Sequence, residues 1–328
     1  MAAGGPDHPT PLRLGVLGCA DIAWRRTLPA IAAAPSVRLA AVASRAPDKA
    51  DAFAARFGCA AVYGYDRLLD RDDVDAVYVP LPVGLRRDWV GRALRTGRHV
   101  LAEKPLTTTR DHAAELVALA ARRGVVLMEN FTFPHHAQHA RVRELIADGA
   151  VGRVRAFMSE FGVPERDPGD IRVDPALGGG ALLDVGVYPL RIAQYFFGDA
   201  LRVRGAVLHR DPATGVDVGG GVLLDTGAGA VVQLGFGFGL HYRNTYTHWG
   251  SDGSLRLDRA FTPPEDLRPV VHVQRQDGTA DAVECAADHQ FRNTLEAFAA
   301  AVRTGRGGDP EAVLALAGLV DRVRDAAG

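Results

Sequence analysis

The chain is 328 residues long, 47% hydrophobic and 23% charged, with a formal net charge of -1; it is long enough for two domains and has the composition of a folded globular protein. The balanced charge speaks against broad nucleic-acid binding or adhesion to an anionic membrane, and no stretch approaches the roughly 18 apolar residues of a membrane helix. Three scattered cysteines, Cys19, Cys59 and Cys285, make neither a CxxC motif nor a disulfide framework.

Residues 1–11 are rich in Ala, Gly and Pro and lack an apolar run. They read as a disordered tail and not as a signal peptide, which with the cysteine pattern predicts a cytoplasmic protein. Residues 12–18 are a short apolar run ending in glycine, the pattern of a buried parallel strand. Residues 21–34 have a helical pattern interrupted by Pro29, so either the helix kinks or Thr27 caps a later start. The next strand covers 37–44, and Ala46-Pro47-Asp48 opens a helix to about Phe57. Further strands are predicted at 76–80, 99–102 and 125–128. They alternate with helices at 88–96, closed by Gly97, and 109–122, closed by Gly124. Strands alternating with helices predict a parallel, doubly wound α/β sheet over residues 12–130.

The pattern changes after residue 130. A helix at about 137–148 precedes a strand at 154–161, a Gly/Pro/Asp-rich loop at 162–180 and a helix at 181–197. Strand-like runs follow at 201–209, 216–224, 230–238, 244–249 and 270–274, with no helix between them. Two helices, 289–303 and 310–326, close the chain. Residues 131–328 are therefore expected to form an α+β domain with a mostly antiparallel sheet.

Gly18-Cys19-Ala20-Asp21-Ile22-Ala23 follows the first strand and opens the first helix. It fits the dinucleotide fingerprint G-x-G-x-x-G/A with alanine for the second glycine, and helix N–H groups there can hold a pyrophosphate. A tight turn without a ligand is the competing reading. At the end of the second strand stands Ser44-Arg45, where an NAD site places a carboxylate. A hydroxyl and a guanidinium suit the 2′-phosphate of NADP; the alternative is a solvated loop arginine. Arg25 and Arg26 can assist or can be plain surface.

Glu103-Lys104-Pro105 follows a strand at the carboxyl edge of the predicted sheet, where ligands bind in such folds. Lysine occurs only at positions 49 and 104 in this arginine-rich chain. Arginine cannot release its proton, so a lysine at this edge points to proton donation beside a nicotinamide. Asp184 and Tyr188, four apart, share a helix face. Tyr188 can relay a proton and Asp184 can orient a substrate hydroxyl or the Lys104 ammonium; a buried structural tyrosine is the alternative. Gly178-Gly179-Gly180 would let a loop meet a ligand closely. Pro80-Leu81-Pro82 is expected to shape the nicotinamide wall. His135, His136 and His139 lack partners at ligand spacing, so no metal is expected.

In order and spacing, Gly18–Ala23, Pro80-Leu81-Pro82, Glu103-Lys104-Pro105 and Asp184-x-Gly186-x-Tyr188 resemble the glucose–fructose oxidoreductase/inositol dehydrogenase/MocA family, from about Leu12 to the C-terminus. The resemblance implies a Rossmann domain followed by an open, mostly antiparallel sheet that commonly forms an oligomer interface, hence a homo-oligomer. Tyr188 stands where many members carry His. Gly18–Arg26, Met128–Phe133 and His135-His136 are most similar to the dTDP-3-keto-deoxysugar 3-ketoreductases of antibiotic sugar pathways. That implies NADPH-dependent reduction of the C3 ketone of a dTDP-linked 3,4-diketo-2,6-dideoxyhexose. Lys104 becomes the leading proton donor, with Tyr188 the second candidate and Asp184 beside them. The implied cofactor contacts extend to Leu85, Glu103 and Asn130, and the implied substrate contacts to Arg172 and His241. Two rival readings stay open: an NADP-dependent dehydrogenase of free sugars, inositols or dihydrodiols, and an NADP-sensing regulator without catalysis, which the intact Lys104 disfavours.

Overall fold

A computed structural model describes residues 10–328; the first nine residues of the expected tail lie outside the described residues. Six strands, β1 (Leu12–Leu17), β2 (Val37–Ser44), β3 (Ala60–Tyr63), β4 (Ala76–Val79), β5 (His99–Glu103) and β6 (Leu127–Asn130), form a parallel sheet in the order β3-β2-β1-β4-β5-β6. Helices cover both faces, which is why β1, β2 and β4 are apolar almost throughout. Strand order reverses between β1 and β4, and at that switch point the loops after the two strands part to leave a crevice.

The helices of this half are α1 (residues 21–31), α2 (Pro47–Phe57), α3 (Tyr65–Leu69), α4 (Val83–Arg95) and α5 (Arg110–Arg123). Thr27 does not cap a restart in α1: its backbone is helical and no side-chain cap forms. The helix instead passes through a π turn, Ala23–Thr27, in which Leu28 N–H donates to the Ala23 carbonyl. Pro29, which has no N–H to give, follows at once. The Thr27 hydroxyl is spent on the Tyr78 hydroxyl, 3.1 Å away.

Eight strands build the second sheet: β7 (Val154–Gly162), β8 (Arg202–Arg210), β9 (Asp217–Asp225), β10 (Val231–Gly237), β11 (Arg243–Gly250), β12 (Gly253–Asp258), β13 (Val270–Arg275) and β14 (Ala280–Glu284). Their order is β14-β13-β12-β11-β7-β10-β9-β8, antiparallel except for the β7–β10 pair. Helices α6 (Ala137–Ala147) and α7 (Val187–Phe197) belong to this half, and a second π turn, Leu182–Gly186, leads into α7. Of the last two helices, α8 (Gln290–Thr304) returns to the first half: Leu295, Phe298 and Ala299 join Leu14, Val16 and Tyr78 in one core. Helix α9 (Pro310–Ala327) straddles both cores, with Val313 in the first and Leu316, Leu319 and Val323 in the second.

Four elements escape the sequence reading: β3, α3, β12 and β14, each of four to six residues. They are short, and unlike the equally short β4, which is buried throughout, each carries exposed positions, so no continuous apolar run marks them. Helix α4 starts at Val83, five residues before the expected Asp88, because Pro82 adopts an extended capping conformation and its carbonyl accepts from Leu85 N–H at 3.0 Å. Gly84 in that first turn hides the start from a propensity argument. A Cβ there would lie 2.9 Å from the Leu177 carbonyl carbon, so the glycine lets the 162–180 loop dock on α4. Strand β6 runs two residues later than expected, ending at Asn130. Among the described residues no helix is long and apolar enough to cross a membrane.

Candidate active site

The crevice at the β1/β4 switch point is a cavity of about 290 Å³. Ala20, Asp21, Ile22 and Arg25 line one end, Pro80, Leu81 and Pro82 a wall, and Glu103 and Lys104 the floor. Arg172, Asp184 and Tyr188 close it from the second domain. The main part of the expected constellation thus meets in one place. Gly18 and Cys19 stand behind that end. Gly18 has φ +120°, and a Cβ on it would come within 2.7 Å of Leu81 Cδ2, so only glycine lets β1 turn here against the Pro80–Pro82 wall. Cys19 donates its thiol to the Ala43 carbonyl at 3.8 Å, and burial pushes its pKa up to about 11.

Ser44 and Arg45 lie at the end of β2. Ser44 is buried and its hydroxyl accepts from Ala46 N–H at 3.1 Å. Arg45 is exposed, beside the Tyr65 hydroxyl that packs near Gly18. Lys49, whose charge is felt at Cys19, joins them from α2. The result is a small cationic ledge next to the Gly18 turn.

Lys104 is the centre of the cavity floor. Its side chain is 12% exposed, and its Nζ donates to the Asp184 backbone carbonyl at 2.5 Å, with Asp184 Oδ1 at 3.5 Å. The ammonium also sits 4.7 Å from the Tyr188 ring centre. Burial pushes its pKa down from the ordinary lysine value, opposed by Asp184 and Glu103 and assisted by Arg172 and Arg86. Asp184 is the hub of the charges: Arg166 Nη2 lies 3.1 Å and Arg172 Nε 3.0 Å from Oδ2. Burial alone would raise the Asp184 pKa, but Lys104, Arg172 and Arg166 outweigh it and hold the group as a carboxylate below its usual range. Tyr188 is wedged between Phe131, Phe161 and Phe261. Burial, with Glu103 and Asp184 nearby, drives its hydroxyl pKa well up. No hydrogen bond to that hydroxyl forms among the described residues, and the side chain lines the cavity.

Behind the floor runs a buried polar relay. Thr27 donates to Tyr78, and Tyr78 (2.7 Å) and Asn130 Nδ2 (2.6 Å) both donate to Glu103 Oε1. Glu129 accepts from Leu106 N–H at 2.6 Å, just past a cis Lys104-Pro105 bond. Asn130 therefore supports Glu103 and is not part of the cavity wall. Leu85 likewise packs into the core under the parallel sheet. His241 is exposed and stands outside the wall, whereas its neighbours Tyr242 and Asn244 hydrogen-bond to each other and to Thr262.

The three glycines before Asp184 do line the cavity, but their reason is internal. A Cβ on Gly178 would meet Val83, on Gly179 the Arg172 carbonyl at 2.6 Å, and on Gly180 Asp217 Oδ1 at 2.4 Å. Arg166, tied to Asp184, and Arg86, under Lys104, were invisible in the sequence. Each is one arginine among many, with no local pattern to mark it. The histidines at 136 and 139 play separate parts. His136 Nδ1 accepts from Gln138 N–H at the start of α6, while His139 is buried against the Tyr246 hydroxyl at 3.0 Å. No cluster of three or more His, Cys, Asp or Glu gathers as a metal site among the described residues.

Comparison with known proteins matches residues 12–131 to an oxidoreductase family with an NAD-binding Rossmann fold, and residues 139–256 to the GFO/IDH/MocA C-terminal domain. The chain belongs to the GFO/IDH/MocA oxidoreductase family. It is 55% identical over 300 residues to a dTDP-3,4-didehydro-2,6-dideoxy-alpha-D-glucose 3-reductase of Streptomyces antibioticus, covering 91% of each chain. It is 52% identical over 338 residues to the enzyme of that name from Streptomyces violaceoruber, covering 100% of this chain and 98% of the other. A 3-ketoreductase of Actinomadura kijaniata, crystallised with NADP and TDP-benzene, superposes with a TM-score of 0.94 at 50% identity, over 97% of this chain and 98% of that one.

Proposed function

We propose that this enzyme reduces the C3 ketone of a dTDP-linked 3,4-diketo-2,6-dideoxyhexose, with NADPH as reductant and Lys104 as proton donor. The observation that carries the chemistry is the Lys104 ammonium, buried with lowered pKa and held over the cavity by the Asp184 carbonyl and carboxylate. The substrate class rests on relatives at 50–55% identity over nine-tenths or more of the chain.

The residues present fit a dinucleotide. Gly18 turns at φ +120° beneath the N-terminus of α1, small Ala20 lets a backbone approach, and the Arg45–Lys49 ledge suits a 2′-phosphate. When bound, NADPH supplies the hydride. The protein's part begins with Pro80-Leu81-Pro82, which forms a rigid wall for the ring. Lys104 then gives a proton to the oxygen at C3 as that carbon is reduced, turning a developing alkoxide into a hydroxyl. Asp184, kept ionised by Arg166 and Arg172, orients the ammonium and restores its charge balance. The Tyr188 hydroxyl, without a hydrogen-bond partner among the described residues, hydrogen-bonds a sugar oxygen.

The two parts of the chain, 12–130 and 131–328, are assigned to cofactor and to substrate and assembly, with α8 crossing back to the cofactor part. Assembly is assigned to the outward face of the second sheet, where Val231 on β10, Ala156 on β7 and Trp249 on β11 stand in one row and Trp249 is 60% exposed. Three free cysteines suit a reducing cytoplasm.

The test is NADPH consumption with freshly generated dTDP-3,4-diketo-2,6-dideoxyglucose, beside free keto sugars and an NADH control. Rapid NADPH-selective turnover that needs the dTDP group supports the reading. Turnover on free sugars alone would sink it in favour of a catabolic dehydrogenase.

A further inference from the structure

Arg86 stands on the first turn of α4 and is buried, 7% exposed. Its hydrogen bonds go to backbone carbonyls, not to a carboxylate. Nε donates to Leu81 O at 2.7 Å, and Nη1 donates to Glu103 O at 2.9 Å and to Pro105 O. Leu81 is the middle of the wall after β4. Glu103 and Pro105 are the two residues that bracket Lys104. One guanidinium therefore joins the wall to both sides of the lysine, and its own edge lines the cavity. Burying a cation without an anionic partner is unfavourable unless its protons are well placed, and only the planar arginine fork can reach carbonyls on two separate loops at once.

We propose that Arg86 is a positioning residue that fixes Lys104 relative to the Pro80-Leu81-Pro82 wall by clamping the carbonyls on either side of it. The proposal rests on Lys104 being the proton donor. Without the clamp, the loop after β5 is held by Glu129 to Leu106 N–H and by the Glu103 relay, neither of which reaches the wall. Arg86 also brings a positive charge to Lys104. The other groups facing the ammonium are Asp184 from the π turn, Tyr188 from α7, Arg172 from the 162–180 loop, Glu103 on β5 and Glu129 on β6. The clamp and the charge are separable, because a lysine at position 86 keeps the charge and loses the fork.

The chain's two lysines make Lys104 individually visible. Protein labelled with 13C at lysine Cε gives two side-chain NMR signals, assigned by Lys49→Arg; Arg86→Lys adds a third, recognised by its absence from the wild type and from Arg86→Gln. Arg86→Lys is expected to fold, to bind NADPH like the wild type, to leave the Lys104 titration in place, and to lose about 100-fold in kcat, the loss that a roughly 1 Å misplacement brings. Arg86→Gln should lose as much kcat, and in addition its Lys104 signal should titrate at higher pH, since a neighbouring positive charge is gone. Wild-type kcat in either folded variant overturns the proposal. So does a Lys104 titration unchanged in Arg86→Gln, or a kcat loss matched by an equal loss of NADPH affinity, which would make Arg86 a cofactor ligand. Failure of both variants to fold, while Lys104→Met folds normally, makes Arg86 a stability residue and also overturns it. Full turnover by Lys104→Met would instead defeat the proton-donor reading, an outcome distinct from failure of the clamp, in which Lys104→Met stays slow while an Arg86 variant keeps wild-type kcat.

Discussion

Replacing Lys104 by methionine separates catalysis from binding and folding. Methionine fills the space of the lysine stem and removes the ammonium. The Asp184 carboxylate is not orphaned, because Arg166 at 3.1 Å and Arg172 at 3.0 Å stay on Oδ2. The variant is also relieved of a buried charge whose desolvation already lowers its pKa. The Asp184 carbonyl does lose its donor, so stability should fall by no more than about 1–3 kcal/mol. A positioned general acid contributes about 10²- to 10⁴-fold, or about 3–5 kcal/mol of barrier, and kcat should fall by that factor. Fluorescence titration should give an NADPH affinity close to the wild type, since the phosphate end and the Arg45 ledge are untouched. The wild-type profile of kcat against pH should fall on its basic side below the ordinary lysine value of 10.5, because the acid form of Lys104 is lost as pH rises through its depressed pKa. That limb should vanish from the residual activity of the variant. Lys104→Arg is the stricter control: it keeps a cation but cannot release its proton, so it should be as slow as methionine. Restoration of turnover by arginine would refute proton donation and leave only electrostatic stabilisation.

Tyr188→Phe should be milder, costing about 10-fold or less in kcat, the worth of a single neutral hydrogen bond; a loss equal to that of Lys104→Met would make Tyr188 the acid instead. Arg45→Asp should weaken NADPH about 10- to 100-fold by removing a charge-assisted bond and adding like charge, with NADH affinity unchanged or improved; equal loss for both cofactors would remove Arg45 from the 2′-phosphate site. His248 is 1% exposed, has no hydrogen-bond partner at either ring nitrogen among the described residues, and packs 4.4 Å from the Phe196 ring and 4.8 Å from that of Phe157. His248→Phe should stabilise the fold by about 1 kcal/mol, read as a raised Tm. Burial pushes the His248 pKa down to about 3, so the unfolded chain binds the extra proton as pH falls below about 6.5 and the wild type loses stability there. The gap in Tm between variant and wild type should therefore widen from about pH 7 to about pH 5; a constant gap would contradict the buried neutral histidine.

Legibility in the sequence followed the range of the forces involved. Strand β2 and helix α2 end where expected, because a two-sided apolar run and a proline-led first turn are local signals. Glu103-Lys104-Pro105 could be placed because a chain with two lysines makes each conspicuous. Arg86 reaches the Glu103 and Pro105 carbonyls 17 and 19 residues away and Arg166 reaches Asp184 18 residues away, and nothing beside them in the chain distinguishes them from solvated arginines. The same holds for α8. Its amphipathic pattern shows a buried face but not that the face belongs against β1, across some 280 residues of chain. His241 lies just ahead of β11 and is exposed, whereas Asn244 in the strand is buried, a difference that the polar character of the two residues does not announce.

Two of the helices that reach the cavity depart from the α pattern shortly before a proline. In α1 the π turn Ala23–Thr27 comes two residues before Pro29, and in the second domain Leu182–Gly186 comes three before Pro189. Wider turns of this kind concentrate at functional sites, and here the consequence can be followed to one atom. In the five-residue repeat of a π turn the donor for the Asp184 carbonyl would be residue 189, a proline with no N–H. That carbonyl receives the Lys104 ammonium at 2.5 Å instead. The irregular turn thus gives the lysine an uncharged acceptor beside a carboxylate already shared with two arginines. The ammonium is held in place without the full stabilisation of an exclusive ion pair, which would have pulled its pKa back up. A buried lysine with a lowered pKa and a fixed direction is what proton donation to a sugar alkoxide requires, and a regular helix at residues 182–186 would supply the direction less well.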